Sequence, residues 1–222
     1  MDELRRTAEE VRSKHGDALE LLADIADEAS LKRVLSDLKS KWRRLDILVA
    51  NAGVNGVWAP LEQIKLEEWE QTHSINVRGT FLTIRESLPL LKDNGGCIVV
   101  VASVNGTRIF SNAGATAYSC SKAAQVAMAK MLAVELGPFH IRVNVVCPGA
   151  ISTEIDDNAQ QRDIKSVRIP VEYPQGAIPL TRDQPGKPED VAELIWFLAS
   201  DYAGHITGSE IHIDGAQSLL QG

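Results

Sequence analysis

The sequence predicts an α/β fold: a doubly wound parallel sheet between helical layers, three layers in all, in a single domain over residues 1–222. Two observations favour this class. Short runs of β-branched residues alternate along the chain with longer helical patterns, as in strand–helix–strand crossovers. Several of these runs are apolar at every position, which is typical of strands buried on both faces of a parallel sheet.

The elements follow in order from this alternation. Strands are predicted from the apolar runs at 18–25, 45–50, 97–102, 141–147 and 210–214. Helices are predicted from the intervening patterns at 2–14, 28–43, 66–91, 117–136 and 188–199. No repeat or linker divides the chain, so we expect one compact unit.

The segment 152–187 does not fit the alternation. It is polar, lacks a helical or strand period, and contains Pro170, Pro174, Pro179 and Pro185. Because long irregular segments inside a compact domain usually serve function, it is predicted to be a lid over a substrate site.

Composition excludes several functional classes. The net charge of −7 and pI of about 5.3 argue against binding to nucleic acid or to an anionic membrane surface. No apolar run approaches the roughly 18 residues of a membrane helix. The charged start MDELRRTAEEVRSK is unlike a secretory signal. A cytoplasmic protein is expected.

Cysteine and histidine usage indicates neither disulfides nor a metal. Cys97, Cys120 and Cys147 are odd in number and widely spaced, which favours reduced thiols. The histidines are scattered, and none stands at zinc-ligand spacing beside a cysteine. The sequence therefore predicts no metal site.

Polar or small residues follow four of the predicted strands. Asp24 ends the first, Asn51-Ala52-Gly53 follows the second, Ser103 the third and Pro148-Gly149 the fourth. Any one of them alone reads as a plain turn. Because ligands of open α/β sheets bind at the carboxyl ends of strands, four together predict a ligand site at that edge.

Tyr118 and Lys122 are separated by four residues on a predicted helix, and so share one face. A cation about 4 Å from a phenolate, at an effective dielectric near 20, contributes roughly 4 kcal/mol. That lowers the pKa of a phenol by up to about 3, towards neutrality, where it serves as a general acid–base. The alternative is a tyrosine at a helix start with a solvated lysine, which a lone Tyr-x-x-x-Lys pattern would favour.

The chain resembles the short-chain dehydrogenases/reductases, which have a Rossmann-like fold, from about residue 2 to its end. The matching motifs agree in order and separation: NAG at 51–53, Asn76 in SINVRGTF, Ser103 in VVVAS, YSCSK at 118–122, PGAIST at 148–153 and ITGSEIHIDG at 206–215. Together they are much more specific than any one alone.

The resemblance implies an oxidoreductase that transfers a hydride between NAD or NADP and an alcohol or ketone of the polyol, sugar or 3-oxoacyl type. Tyr118 would exchange a proton with the substrate oxygen, and Ser103 would hydrogen-bond that oxygen. Lys122 would assist the tyrosine and contact the cofactor ribose. Asn76 would hold a water that relays protons to Lys122.

The resemblance also implies a set of cofactor contacts besides Tyr118 and Lys122. These are Asp24 and Ile25 at the adenine, Asn51, Ala52 and Gly53 along the cofactor, and Pro148, Gly149, Ile151 and Thr153 around the nicotinamide. The alanine-rich helix at 117–136 implies a homodimer or homotetramer, although the same alanines also suit packing within one chain.

The front of the chain departs from the family pattern. The family begins with a strand, a glycine-rich turn, a helix and a second strand, whereas DELRRTAEEVRSKHG resembles the helix after that second strand. We therefore expect an N-terminally truncated fold without the first strand–helix–strand unit. Three explanations stay open: the 18–25 strand moves beside 45–50, another chain covers the gap, or the sequence is an incomplete copy of a longer enzyme, which the complete set of chemical residues favours.

Two functional expectations follow from the missing unit. The chain alone should bind the cofactor weakly, near millimolar at best, and should show little or no turnover, whereas a full-length form would be active. The alternative function is a catalytically inactive relative that acts as a binding or oligomerisation partner.

Overall fold

The computed structural model describes residues 2–153, 155, 159–170, 173 and 176–221. The helices are Asp2–Ser13 (α1), Glu28–Trp42 (α2), Leu66–His73 (α3), Thr80–Leu91 (α4), Thr116–Leu136 (α5), Pro188–Ala199 (α6) and Gln217–Gln221 (α7). The strands are Ile47–Ala50 (β1), Gly56–Trp58 (β2), Gly96–Val101 (β3), Ile141–Pro148 (β4), Ala159–Gln161 (β5) and Glu210–Ile213 (β6). Short 3₁₀ helices span Leu61–Gln63, Gly137–Phe139, Ile164–Ser166 and Asp201–Ala203, and a π-helical turn at Ser74–Gly79 joins α3 to α4.

A four-stranded parallel sheet with the order β1-β3-β4-β6 forms the centre. The strands predicted at 45–50, 97–102, 141–147 and 210–214 are thus confirmed, with ends shifted by a residue or two. The two central strands are buried on both faces, and Val99 and Val145 are fully inaccessible to solvent. This double burial is the cause of the continuous apolar runs in the sequence.

Alternate residues of β3 pack into two separate cores, one on each face of the sheet. Ile98 and Val100 belong to the core under α4 and α5. Cys97 and Val99 belong to a second core, which α6 covers with Leu198. The layered α/β prediction is therefore confirmed.

The strand predicted at 18–25 is wrong. No strand in the described part of the chain pairs with this segment, and Leu22 is exposed. Side chains fix its backbone instead: Arg12 donates to the Ala18 carbonyl and to Glu20, and Lys41 pairs with Asp17. An apolar composition indicates that a segment is buried, but it does not indicate that a neighbouring strand is available for pairing. The explanation in which the 18–25 segment moves beside the strand at 45–50 is therefore wrong as well.

Two other predicted segments differ in detail. The single helix expected over 66–91 is interrupted by the π-helical turn at Ser74–Gly79. Within 152–187 the described residues include β5, which pairs in parallel with β2 and so gives part of this segment a regular structure. Residues 154, 156–158, 171–172 and 174–175 lie outside the described part.

In the portion of the chain that the structure describes, no helix is both long enough and apolar enough to cross a membrane.

Candidate active site

The carboxyl ends of three neighbouring strands meet at one edge of the sheet. Asn51 follows β1, Ser103 follows β3 after Ala102, and Gly149 follows β4. Because these strands are parallel and adjacent, the three residues share that edge, as the sequence predicted. Asp24 does not follow a strand, which removes the reason for placing it there.

Tyr118 and Lys122 lie in the first turns of α5 and are both buried, with 6% and 3% of their surfaces exposed. The Lys122 ammonium lies 5.6 Å from the centroid of the Tyr118 ring. Its Nζ donates a 3.0 Å hydrogen bond to the carbonyl of Val101 at the end of β3. The alternative of a solvated lysine is therefore wrong.

Burial lowers the pKa of Lys122 to about 8, and the neighbouring Cys147 offsets part of this effect. A lysine with this pKa still carries its proton at neutral pH but loses it readily. It is therefore suited to stabilise a nearby anion and to exchange protons.

Asn76, which lies close to Lys122, makes three side-chain hydrogen bonds. Its Oδ1 accepts from the Val54 N–H, and its Nδ2 donates to the Val54 carbonyl and to Ser121 Oγ, each at 2.9 Å. A Cβ atom at Gly53 would lie 3.1 Å from Asn76 Oδ1 and 3.5 Å from Lys122 Nζ. The structure thus brings together Gly53, Asn76 and Lys122, which are distant in sequence.

The backbone of Asn76 is bound from α5 by Gln125, which the sequence analysis missed. Gln125 Nε2 donates to the Asn76 carbonyl at 2.8 Å and to Thr80 Oγ1 at 2.7 Å. Gln125 is fully buried, and its Oε1 has no hydrogen-bond partner among the residues that the structure describes. The π-helical turn around Asn76 explains why no helix period revealed this contact, since π-helical turns alter which carbonyls the helix itself satisfies.

Ser103 is buried at the end of β3, where its Oγ accepts a 3.1 Å hydrogen bond from the Asn105 N–H. The Val104 N–H donates to the Pro148 carbonyl at 3.0 Å, which fixes the residues after β3 against the end of β4. Ser103 and Pro148 are therefore held in a defined relation.

A further structure near Tyr118, also missed from the sequence, is the pair of strands β2 and β5, here called the flap. Trp58 of β2 places its ring 6.3 Å from that of Tyr118. Arg162, directly after β5, makes two 2.9 Å hydrogen bonds to the Glu68 carboxylate of α3. This pairing lowers the pKa of Glu68 to about 2.

The predicted nicotinamide-side residues lie around the end of β4. A Cβ atom at Gly149 would come within 2.6 Å of the Asp214 Cβ and 2.7 Å of Gln217 Oε1, so the site requires glycine. Ile151 forms a parallel bridge with Gly186, and the exposed Thr153 lies two residues further on.

The remaining predicted cofactor residues are less enclosed. Asn51 and Ala52 are exposed after β1. Asp24 is exposed, and its Oδ1 accepts from the Ala26 N–H, so it caps a turn in this structure. Ile25 is half-buried, and its Cδ1 would lie 2.7 Å from a Cβ atom at Gly79, which places it against the end of the π-helical turn.

Comparison with known proteins agrees with this fold. The family model described as enoyl-(acyl carrier protein) reductase matches residues 1–216. The solved 3-ketoacyl-ACP reductase from Sinorhizobium meliloti 1021 superposes with a TM-score of 0.95 at 53% identity, covering 99% of this chain and 86% of that chain.

Two further relatives are informative. The 3-oxoacyl-(acyl-carrier-protein) reductase FabG of Thermotoga maritima is 37% identical over 193 residues, which are 86% of this chain and 74% of the relative. The 3-ketoacyl-(acyl-carrier-protein) reductase from Brucella melitensis, solved in complex with NADH, has a TM-score of 0.81 and 33% identity, covering 95% of this chain and 83% of that chain. The chain belongs to the short-chain dehydrogenase/reductase family of oxidoreductases.

Proposed function

We propose that this protein is an NAD(P)-dependent oxidoreductase that interconverts an alcohol and a carbonyl group, with 3-oxoacyl thioesters as its substrate class. The observation that supports it most is the joint burial of Tyr118, Lys122 and Ser103 at the carboxyl edge of the sheet. The 3-oxoacyl choice rests on similarity to reductases of that type, at 53% and 37% identity.

In the proposed reduction, the Tyr118 hydroxyl donates its proton to the substrate carbonyl oxygen. The Ser103 hydroxyl donates a hydrogen bond to the same oxygen and stabilises its developing negative charge. Oxidation of an alcohol is the reverse, with the Tyr118 oxygen accepting the proton. A buried donor is effective here because electrostatic interactions are stronger away from water.

Lys122 stabilises the phenolate that Tyr118 becomes after donation, through the charge of its ammonium group. It can then return a proton, because burial lowers its pKa to about 8. Asn76, held on both sides of its amide by Val54, fixes the geometry behind Lys122 and supports a water-mediated path to it. These roles are proposals for this chain.

The residues at this edge fit a nicotinamide dinucleotide. A bound nicotinamide supplies or accepts the hydride. Both Gly53 and Gly149 lie at the carboxyl ends of strands, where ligands of open α/β sheets bind. A Cβ atom at Gly53 would crowd Asn76 and Lys122, and one at Gly149 would crowd Asp214 and Gln217, so glycine keeps these side chains in place at the edge. We assign Asn51, Ala52, Pro148, Ile151 and Thr153 to the same ligand, and Asp24 and Ile25 to its adenine end.

The proposed cofactor is NAD or NADP. The expected absence of the family's glycine-rich unit stays a prediction, as do the lid role of 152–187 and the cytoplasmic location. A calorimetric titration of the 222-residue chain with NADH and with NADPH tests both the choice of nucleotide and the effect of lacking the glycine-rich unit. Micromolar binding of either would contradict the weak binding expected without that unit.

The activity test follows oxidation of NADH and NADPH with a 3-oxoacyl thioester, a cyclic ketone and a keto-sugar. The thioester should be reduced fastest, and Ser103→Ala should lower its turnover about 10²-fold or more. The exposed Ser40→Ala, on α2, is the matched control and should be unchanged. Preference for another carbonyl would contradict the substrate class, and no turnover with any of them would contradict an active enzyme.

We also propose that the protein is a homodimer or homotetramer that pairs through α4 and α5. A groove of about 930 Å³ there includes Trp69, Phe81 and Met128 in its lining, and Val134 is 81% exposed on the same helix as Met128. Val134→Lys should lower the mass measured by light scattering. Lys165→Ala, on the exposed 3₁₀ helix of the lid segment, is the control. A monomeric wild-type protein would contradict the proposal.

A further inference from the structure

A cluster of soft and hard ligand groups lies beside the active site on strands β4 and β6. Cys147 of β4 pairs in register with His212 of β6, and Glu210 stands two residues before His212, so all three face the same side of the sheet. One ligand atom from each of the three lies within 4.8 Å of the other two. Parallel strand pairing therefore brings together residues that are 63 and 65 positions apart in the sequence.

We propose that Cys147, Glu210 and His212 form a binding site for Zn²⁺ or a similar divalent transition metal. Zinc–ligand distances of about 2.0–2.3 Å in a tetrahedral site place ligand atoms about 3.3–3.8 Å apart. His212 Nε2 and Glu210 Oε1 are already 3.3 Å apart. The cluster is thus close to chelating geometry and needs only side-chain adjustment.

The three ligands differ in their environment, and burial raises the pKa of the Cys147 thiol, so an ion binds there only by displacing the thiol proton. Cys147 is fully buried, whereas the side chains of His212 and Glu210 are 11% and 20% exposed, so an ion can enter from their side. Lys130 of α5 binds Glu210 Oε2 at 2.6 Å and leaves Oε1 facing His212. That ion pair orients the carboxylate as outer hydrogen bonds do in metal sites.

Thr107 gives the cluster an oxygen as a possible fourth ligand. Its Oγ1 lies 3.4 Å from His212 Nε2 and also makes hydrogen bonds to the carbonyls of Ser103 and Val104. A bound ion would therefore connect β4 and β6 to the turn after Ser103. Water can fill the fourth position instead.

The combination of sulfur and nitrogen ligands selects the metal class. Thiolate and imidazole favour Zn²⁺ or Co²⁺ over Mg²⁺ or Ca²⁺, which prefer oxygen ligands throughout. Binding requires that the Cys147 thiol release its proton to solvent, one proton for each ion bound. No redox step is involved.

The nearby positive charges set a limit on affinity. Lys130 contacts Glu210, and Arg108 acts electrostatically on His212, while Asp214 opposes both. The positive charges of Lys130 and Arg108 repel a cation, so binding depends on the metal–thiolate bond more than on electrostatic attraction. The thiolate contact is therefore the decisive observable.

The test is a titration of the purified, metal-free full chain with Co²⁺, followed by its near-ultraviolet thiolate-to-cobalt absorption, with Zn²⁺ as competitor. We expect one ion per chain, a thiolate band, and loss of that band on adding Zn²⁺. Cys147→Ala should abolish the band, and His212→Gln and Glu210→Gln should each weaken binding by at least about tenfold. Absence of a thiolate band at saturating Co²⁺ would overturn the proposal.

Two matched controls separate this site from other groups. Cys97→Ala removes a buried cysteine of the neighbouring strand β3, and His205→Gln removes an exposed histidine near β6. Both should bind Co²⁺ as wild type does. If Cys147→Ala fails to fold, the wild-type spectrum together with the His212→Gln and Glu210→Gln variants still tests whether the metal binds at this cluster. A band that persists with the Cys147→Ala variant, or disappears with Cys97→Ala, would also overturn the assignment.

Discussion

Two regions border Tyr118, and they are built in opposite ways. The buried polar network, made of Asn76, Ser121, Lys122 and Gln125, has solvent exposure of 3% or less at every member. Each of the four donates to a backbone carbonyl: Asn76 to that of Val54, Lys122 to that of Val101, Gln125 to that of Asn76, and Ser121 to that of Tyr118.

The flap, by contrast, is made of two three-residue strands. Its β2 strand packs on Tyr118 through Trp58, and partly exposed polar side chains around β5 attach it to α3 and its flanking turn. Arg162 pairs with Glu68, and Gln63 donates to Asp163 at 2.9 Å. We infer from this difference that the network fixes reacting groups in one arrangement, and we expect the flap to adjust to a substrate more easily than the network does. Changes in the network should therefore alter turnover and stability, and changes in the flap should alter substrate affinity.

The largest effect is expected at Tyr118. Tyr118→Phe removes the proposed proton donor but keeps the ring that packs near Trp58. Turnover should fall by about 10²–10⁴-fold, the range ascribed to general acid–base catalysis, with KM nearly unchanged. Steady-state kinetics with a circular dichroism spectrum of the variant checks this. Near-normal turnover would show that the proton comes from elsewhere.

The second effect concerns the buried charge of Lys122. Its pKa is lowered from 10.5 to about 8 by burial, so between these values the unfolded chain binds more protons than the folded one. The free energy of unfolding should therefore rise with pH across this window, by about 3 kcal/mol in all. Urea denaturation from pH 7 to pH 10.5 measures it.

Lys122→Met is the reference for that experiment, because it removes the titrating group and keeps much of its volume. The difference in unfolding free energy between wild type and variant should change over this pH range, in favour of the wild type as pH rises. A constant difference would mean that burial does not shift the pKa of this lysine.

The sequence predicted the sheet well because double burial leaves a clear mark. CIVVVA and IRVNVVC became β3 and β4, and the residues after them share the edge that parallel topology requires. The pair Tyr118 and Lys122 was also predictable, since positions four apart share a helix face. The strands and the Tyr118–Lys122 pair follow from local sequence patterns, and the shared edge follows from the parallel α/β fold class.

What the sequence did not predict depends on partners far away in the chain. The apolar segment 18–25 is not a strand, because no described segment pairs with it. Trp58 lies beside Tyr118 on β2, a three-residue strand whose partner β5 comes about a hundred residues later in the chain. The helical pattern around Gln125 does not indicate that its side chain binds the Asn76 carbonyl, because that carbonyl lies in a π-helical turn far away in the sequence.

The third effect tests whether Gln125 holds the network together. Gln125→Leu removes one of the two donors to the Asn76 carbonyl, the other being Thr80 Oγ1, and removes the donor to Thr80 Oγ1 itself. Each lost hydrogen bond costs about 0.5–1.5 kcal/mol, so a loss of about 1–3 kcal/mol is expected for the two. The variant should be destabilised by that amount in urea denaturation, and turnover should fall while KM stays close to that of wild type. Gln160→Leu, in the exposed flap, is the control. Equal stability of the two variants would mean that Gln125 is not a support for Asn76.

The smallest effect belongs to the flap. Arg162→Met removes both hydrogen bonds to Glu68 but keeps an unbranched side chain of similar reach. Because the pair is partly exposed, water offsets much of its attraction, and exposed ion pairs contribute little. KM should rise by up to about fivefold, with turnover unchanged, whereas the exposed control Arg168→Met should match wild type.

The pH dependence of that effect separates a flap held by charge from one held by shape. The pKa of Glu68 is lowered to about 2 by Arg162, so the pair contributes fully above the carboxylate's ordinary value of 4.5 and is lost only as pH falls towards 2. The ratio of KM values between Arg162→Met and wild type should therefore be constant from pH 5.5 to pH 8. If that ratio falls to one within this range, Glu68 is not the partner that positions the flap. If Arg162→Met instead lowers turnover as strongly as Gln125→Leu does, then the flap belongs to the catalytic arrangement, and the division between a fixed network and an adjustable flap is wrong.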